Sequence, residues 1–263
     1  MSRKDMLSRN GEIWEKLNSE ETHVHSVRRV YCNLEISGQS VSVVETAHGR
    51  TLVIDGRLQS TEADEWIYHE ALVQPAMLCH DGPRDVLCVG GTTGAIIREA
   101  LRTPTIQSVA FTNTNRMLVD ITRAYLPHLG AWVFDDPRIE VIEEDASSWL
   151  QCTGRSFDVI IVDLPESPDG TPKDGRFVTR RLLVALRQHL NSGGIVAVAA
   201  GAAHLLADPA FAVIVKALKS VFLSVDAYSA NVSSLGTPWG FAVGTDGPSI
   251  ICVRREADRP ADR

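Results

Sequence analysis

A chain of 263 residues, 44% hydrophobic and 22% charged, is long enough to bury a substantial core as one large domain, alone or with a small one. A formal net charge of -7 argues against general nucleic-acid binding and against anionic membranes. The most apolar region, 193–223, is interrupted by His204, Asp208, Pro209 and Lys216, which disqualifies it as a membrane span. The polar start MSRKDMLSRNGE lacks the apolar run of a secretion signal, so a reducing cytoplasm is the expected setting. Five scattered cysteines (Cys32, Cys79, Cys88, Cys152 and Cys252) form no metal-spaced pair and read as reduced thiols.

In chain order, residues 11–17 are expected to form a short helix. Over 26–58 the strings RRVYCNLEI, SVSVVET and TLVIDG are short, β-branched and separated by Ser-Gly or His-Gly turn signals, which predicts antiparallel hairpins. Helical spacing follows over 62–78, carried by Trp66, Ile67, Leu72, Val73 and Met77. Beyond Pro83 strands and helices alternate. Strands are predicted at 86–89, 108–112, 139–143, 159–162, 195–199 and 224–229, and helices at 95–101, 116–125, 146–150, 179–190 and 209–222. Alternation of this kind predicts a doubly wound, Rossmann-like α/β fold with a mostly parallel sheet and right-handed crossovers. A closing hairpin is expected from 240–244 and 249–253. These readings divide the chain into an N-terminal β-hairpin domain with its linking helix (1–78), a catalytic α/β domain (79–254) and a frayed tail (255–263).

The string DVLCVGGTTGAII (85–97) is an apolar strand entering a glycine turn that opens a helix, the arrangement that offers backbone N–H groups to a nucleoside or phosphate. No acid follows the glycines, because Thr92 and Thr93 stand there. The next strand ends in Asn113 and Asn115, where nucleoside-binding sheets usually carry an acid for the ribose. Ligands of open α/β sheets sit at the carboxyl ends of strands, which singles out 90–94, Asn113, Asp145 and Asp163. FDVIIVD places Asp163 just past an apolar strand, ahead of a Pro/Gly-rich loop holding Glu166. Such an aspartate suits a general base or amine acceptor, and equally a cap for the following turn. His23 and His25 form an H-x-H that could ligate a metal; with no third ligand nearby in sequence, a solvated strand face is the favoured reading, and no metal is expected. Trp14 and Trp66 are expected to pack the domain junction, and Trp132 and Trp149 to be packing residues too.

Five strings in this order, DGRLQSTEADEWIYHE (55–70), VLCVGGTTGA (86–95), DDPRIEVIEEDASSWL (135–150), FDVIIVD (157–163) and PWGFAVGT (238–245), resemble the spermidine synthases, the polyamine aminopropyltransferases. The similarity spans roughly 39–245, and the first string is its most specific part. The resemblance implies an N-terminal β-hairpin domain over a Rossmann-like catalytic domain, a homodimer or homotetramer, and a small-molecule amine acceptor. It implies no tightly bound cofactor; decarboxylated S-adenosylmethionine, or S-adenosylmethionine, serves as co-substrate. By position, Asp163 matches the catalytic acid that takes the amine proton, with Glu166 as the acid that grips the amine. Asp145 and Ala146 match the adenine-reading pair, and Gly90, Gly91, Thr93, Gly94 and Asn113 match the rest of the nucleoside site. Gln39, Gln59, Tyr68 and His69 match the lip supplied by the N-terminal domain, and Trp239 with Gly240 its closing strand.

The departures carry a physical consequence. Thr93 replaces an acid of the glycine turn, and Asn113 replaces the acid that holds both ribose hydroxyls. A glutamine is missing from AAGAA after strand 195–199, and a tyrosine is replaced near Ser233 and Ser234. Each lost carboxylate removes about 1 to 4 kcal/mol of attraction for a doubly cationic sulfonium donor. The chain is therefore expected to take a less cationic ligand than its relatives. Aminopropyl or related alkyl transfer is the leading reading. Methyl transfer or cyclisation of S-adenosylmethionine, and an inactive nucleoside-binding or subunit-interaction role, stay open beside it.

Overall fold

A computed structural model describes residues 11–16, 21–36, 38–91, 93–113, 115–164, 178–203 and 210–250. The chain opens on two antiparallel strands, β1 (Glu12–Lys16) and β2 (Thr22–Ser26). The helix expected at 11–17 is therefore a strand: Ile13 and Glu15 are buried while Trp14 between them is exposed, the period of two that a pleated strand imposes. Four further strands, β3 (Arg29–Ile36), β4 (Gln39–Thr46), β5 (Gly49–Ile54) and β6 (Arg57–Thr61), form an antiparallel sheet in sequential order, the predicted hairpins.

Helix α1 (Glu65–Cys79) follows, burying Leu72, Val73, Ala76 and Met77. Pro75 stands inside it and has no N–H, so the carbonyl of Ala71 loses its helical donor. Tyr228 Oη donates to that carbonyl at 2.8 Å and satisfies it.

The large sheet is built from β7 (Asp85–Gly90), α2 (Ala95–Leu101), β8 (Ser108–Thr112), α3 (Arg116–Tyr125), β9 (Ile139–Ile142), α4 (Ala146–Cys152), β10 (Phe157–Asp163), α5 (Arg180–Gln188), β11 (Leu190–Ala202), α6 (Ala210–Lys219), β12 (Ser224–Val232) and β13 (Thr237–Thr245). Its seven strands run in the order β12-β13-β11-β10-β7-β8-β9. The five from β11 to β9 are parallel, and β13 is antiparallel to both its neighbours. Of the hairpin expected between 240–244 and 249–253, residues 251–253 lie outside the described residues, and the two edges of β13 are taken by β11 and β12. From β7 the chain winds one way through β8 and β9, and the other way through β10 and β11. The switch in strand order therefore lies between β7 and β10, where the crevice of a doubly wound sheet opens.

Alternation along the strands divides the core. Val86 and Cys88 face α1 and α2 with Leu72, Ile96, Ile97 and Phe111, while Leu87 and Val89 face Leu182, Leu186 and Leu218 of α5 and α6. Each buried aliphatic or aromatic side chain contributes about 1.5–3 kcal/mol. The N-terminal sheet packs Val41, Val43 and Leu52 on Leu118 and Ile121 of α3, and Val44, Val53 and Leu58 on Val232 and Leu235. It thus bridges the helix that leaves β8 and the turn that enters β13.

Three of the four tryptophans expected to pack do not. Trp14, Trp66 and Trp132 are more than half exposed; on α1 the buried face is that of Leu72 and Val73, and Trp66 falls outside it. Trp149 packs on Phe157, ring centroids 6.1 Å apart. Among the described residues no helix is long and apolar enough to cross a membrane.

Candidate active site

The register of β7 and β10 decides where chemistry can occur. Asp163 pairs directly with Gly90, so the last residue of one apolar strand lies beside the first glycine of the turn. A Cβ on Gly90 would strike the carbonyl of Asp163, and φ of +74° there is a left-handed value that side chains resist. The next glycine closes the contact, its N–H donating to the Asp163 carbonyl at 2.8 Å. The glycines therefore serve first to bring β10 and its aspartate against the turn.

Asp163 retains partial access to solvent. Tyr68 Oη donates to its Oδ1 at 2.7 Å across 95 residues of sequence. Burial pushes the Asp163 carboxyl above the usual carboxylate range, against the opposing pull of the charge on His69 and of the Tyr68 hydrogen bond. Tyr68 is itself walled by Phe241 and Trp239, with ring centroids at 5.3 and 6.1 Å. Trp239 Nε1 is buried and has no acceptor among the described residues. Beneath the aspartate, burial and the Asp163 charge hold the Cys88 thiol undissociated.

Behind this wall lies a set of bonded charged groups not foreseen from the sequence. The resemblance places His69 at the lip of the site; the structure buries it, with Nδ1 at 2.7 Å from both the carbonyl and Oε2 of Glu65. Arg98 of α2 donates to both oxygens of that carboxylate, at 2.9 and 3.0 Å. Burial alone would raise the Glu65 carboxyl, but hydrogen bonds and charge from His69 and Arg98 outweigh it and hold the pKa below its ordinary value. The i,i+4 spacing of Glu65 and His69 on one helix was a readable signal; Arg98, on another helix, had none. Asp64 was missed as well. Buried just before α1, it accepts from Thr61 Oγ1 and from both the backbone N and Oγ of Ser234, each at 2.7 Å. Ser234 therefore faces inward and ties the turn before β13 to the start of α1.

The opposite wall is neutral and engaged with its own backbone. Thr93 is buried, and its Oγ1 accepts from Ala95 N at 3.3 Å, over the first turn of α2. Asn113 Nδ2 donates to Gly91 O at 2.8 Å while Oδ1 accepts from Asn115 N at 2.7 Å. An aspartate at 113 could not make the first of these bonds. Asp145 caps α4 through one oxygen, Oδ1, which accepts from Ser147 N at 2.9 Å and Ser148 N at 3.3 Å; Ala146 beside it is buried. Gly94, at φ +79°, packs so closely on Gly130 that a Cβ would lie 3.0 Å from its carbonyl.

Gln39 and Gln59 are both in the N-terminal sheet, their amides donating at 3.4 Å to Asp55 Oδ2 and Arg57 O. Glu166 lies outside the described residues. The H-x-H pair is not simply solvated: His25 Nε2 is 3.3 Å from Glu15 Oε2, at 10% side-chain exposure. Among the described residues no cluster of three or more His, Cys, Asp or Glu side chains could hold a metal ion.

Comparison with known proteins agrees with this architecture. The spermine/spermidine synthase domain model matches residues 65–251. Polyamine aminopropyltransferase 2 of Pseudomonas aeruginosa is 37% identical over 227 residues, 86% of this chain and 65% of that protein, so the match spans just under two thirds of that relative's length. Polyamine aminopropyltransferase of Pyrobaculum calidifontis is 34% identical over 91% of this chain and 80% of its own. A crystal structure of spermidine synthase in complex with the transition state analogue AdoDATO superposes with a TM-score of 0.83 at 21% identity, covering 97% of this chain and 88% of that one.

Proposed function

This chain belongs to the spermine/spermidine synthase family, and we propose that it moves an aminopropyl or related alkyl group from a sulfonium nucleoside to a small amine. The observation that carries the reading is the pairing of Asp163 with Gly90: it sets a carboxyl group of raised pKa beside a nucleoside-type turn. In the step, the lone pair of the amine attacks the carbon next to sulfur. The C–S bond breaks, its electrons neutralise the sulfonium, and the thioether nucleoside departs. The nitrogen's surplus proton passes to the Asp163 carboxylate, for which a pKa above the ordinary range makes it the stronger base. Tyr68 orients the accepting oxygen. Glu166 is assigned to orient the acceptor, with Gln39, Gln59 and Trp239 lining its approach.

On the donor side, the turn 90–94 holds the nucleoside, Asp145 and Ala146 read the adenine, and Asn113 offers the remaining lone pair of Oδ1 to one ribose hydroxyl. Without carboxylates at Thr93 and Asn113, this wall distinguishes decarboxylated S-adenosylmethionine from the intact, carboxylate-bearing form less sharply than an acidic wall does. A homodimer or homotetramer is part of the same proposal. The partly exposed apolar strip of Trp66, Ile67, Pro75 and Leu78 beside Ala230, bounding a cavity of about 300 Å³, supports it as a contact surface that light scattering can check.

Incubation with each donor and a panel of diamines, read by mass spectrometry, tests the chemistry. An added aminopropyl group on the amine is expected. An added methyl group, a cyclised donor, or donor left intact with every amine would overturn it.

A further inference from the structure

We infer that Asn113 is a positioning residue for Asp163: its amide braces the Gly91 carbonyl, and the braced glycine forms the wall against which the reacting carboxylate rests. The inference rests on the amine-alkylation reading and deepens it.

The two side-chain bonds of Asn113 are ones that a carboxylate cannot make together. Asn115 N only donates, so the atom facing it at 2.7 Å is the amide oxygen. The Gly91 carbonyl only accepts, so the atom facing it at 2.8 Å is the amide nitrogen. Between them these bonds fix which way the amide is turned. The backbone beneath is anchored to β9, with Asn113 N donating to the Ile142 carbonyl at 3.0 Å. A carboxylate at 113 would set oxygen against oxygen across the gap to Gly91.

Gly91 needs that brace. It stands at φ +72°, in the left-handed region, and the peptide groups on either side of a glycine Cα turn with little resistance. The peptide before the Cα is held by its N–H, which donates to the Asp163 carbonyl at 2.8 Å. That bond leaves the peptide after the Cα free to rotate about ψ, and its carbonyl is the one Asn113 holds. The two bonds therefore grip different peptides, and neither replaces the other. Together they set the Cα against the carboxylate: a Cβ on Gly91 would lie 3.3 Å from Asp163 Oδ2 and 2.9 Å from Ile96 Cδ1. Asp163 is thus defined on two sides, Oδ1 by the Tyr68 hydroxyl and Oδ2 by Gly91.

Asn113 is also proposed to meet a ribose hydroxyl, so the test separates the brace from that contact. Asn113→Asp keeps an acceptor for the hydroxyl and loses the donor to Gly91. It is read in folded enzyme on the alkaline plateau of the pH profile, where Asp163 is ionised in parent and variant alike. We expect kcat to fall about fivefold, the scale of one hydrogen bond, while the Kd of decarboxylated S-adenosylmethionine does not rise. Asn113→Ala loses both groups and should show a similar fall in kcat together with weaker nucleoside binding. A kcat within twofold of the parent in Asn113→Asp overturns the inference. So does a Kd that rises as far as kcat falls, since Asn113 would then act through the ribose alone. Crystal structures of the parent and Asn113→Asp read the brace without turnover: Gly91 O moves off residue 113, and Asp163 Oδ2 leaves its place against the Gly91 Cα. Gly91 and Asp163 groups that superpose in the two structures overturn the inference as well. Should the parent alkylate no amine, the proposed function falls, and these structures still decide whether Asn113 sets the position of Asp163.

Discussion

At the end of β10, Asp163 keeps an ionisable group in partly dry surroundings, bonded by Tyr68 and backed by buried His69, Glu65 and Glu99 and half-buried Arg98. At the end of β8 and in the glycine turn, Asn113 and Thr93 spend their polar atoms on Gly91, Asn115 and Ala95. One wall of the crevice stores charge close to the aspartate proposed to take the proton. The other has converted positions that could hold charge into struts for the turn. The contrast teaches that a glycine turn can be braced by an amide and a hydroxyl, whose polar atoms bond the neighbouring backbone without bringing charge. Proton transfer has no such substitute.

The largest effect expected from this contrast is at Asp163. Asp163→Asn should lower kcat/KM by about a thousandfold, within the usual range for a general base. Its effect on stability has the opposite sign. A carboxyl whose folded pKa is raised withdraws stability as pH climbs from its unfolded value through its folded one. The variant escapes that loss and should melt at or above the parental temperature at neutral pH. A variant that loses activity and stability together would place the aspartate in the framework instead.

A smaller effect is expected on the neutral wall. Asn113→Asp returns a negative charge there, and calorimetric titration should show the preference for decarboxylated over intact S-adenosylmethionine rising about tenfold, equivalent to about 1.4 kcal/mol of a Coulomb effect that reaches about 4 at short range. The same change deletes the Asn113 Nδ2 bond to Gly91 O and should cost about 1 kcal/mol of stability. Equal changes in affinity for both donors would break the electrostatic half of the comparison.

The smallest effect separates cap from ligand contact at Asp145. Asp145→Ala removes the cap of α4 and should cost about 1 kcal/mol, while Asp145→Ser keeps most of it. Both should weaken nucleoside binding, because Asp145 is proposed to read the adenine and the cap occupies only its Oδ1. Thermal melts and titration of the two variants side by side check this.

Much of the α/β layer was legible from local pattern. The ranges expected for α2, β8 and α3 coincide with those observed, because each is a short apolar period bounded by turn residues. Where the pattern was thin, it misled. Five residues of β1 are too few to distinguish a period of two from a helix, and the partners of β13 depend on which strand edges remain free, which is not a local property. The exposed Trp14, Trp66 and Trp132 show the same thing: hydrophobic type alone does not say which side of an element meets the core.

The sequence alone determined the alternation of strands and helices, the glycine turn, and an aspartate at the mouth of an apolar strand, since these follow from side-chain periodicity and backbone freedom within a few residues. The resemblance added the family and the candidate residues, Tyr68 and His69 among them. Only the tertiary structure decided that Gly90 and Asp163 are neighbours, that Tyr68 bonds Asp163, that Arg98 clamps Glu65, and that Asp64 holds Ser234 across 170 positions. Those contacts join residues far apart in the chain. They exist because sheet register and helix packing bring distant polar groups together in dry surroundings, where each must find a partner.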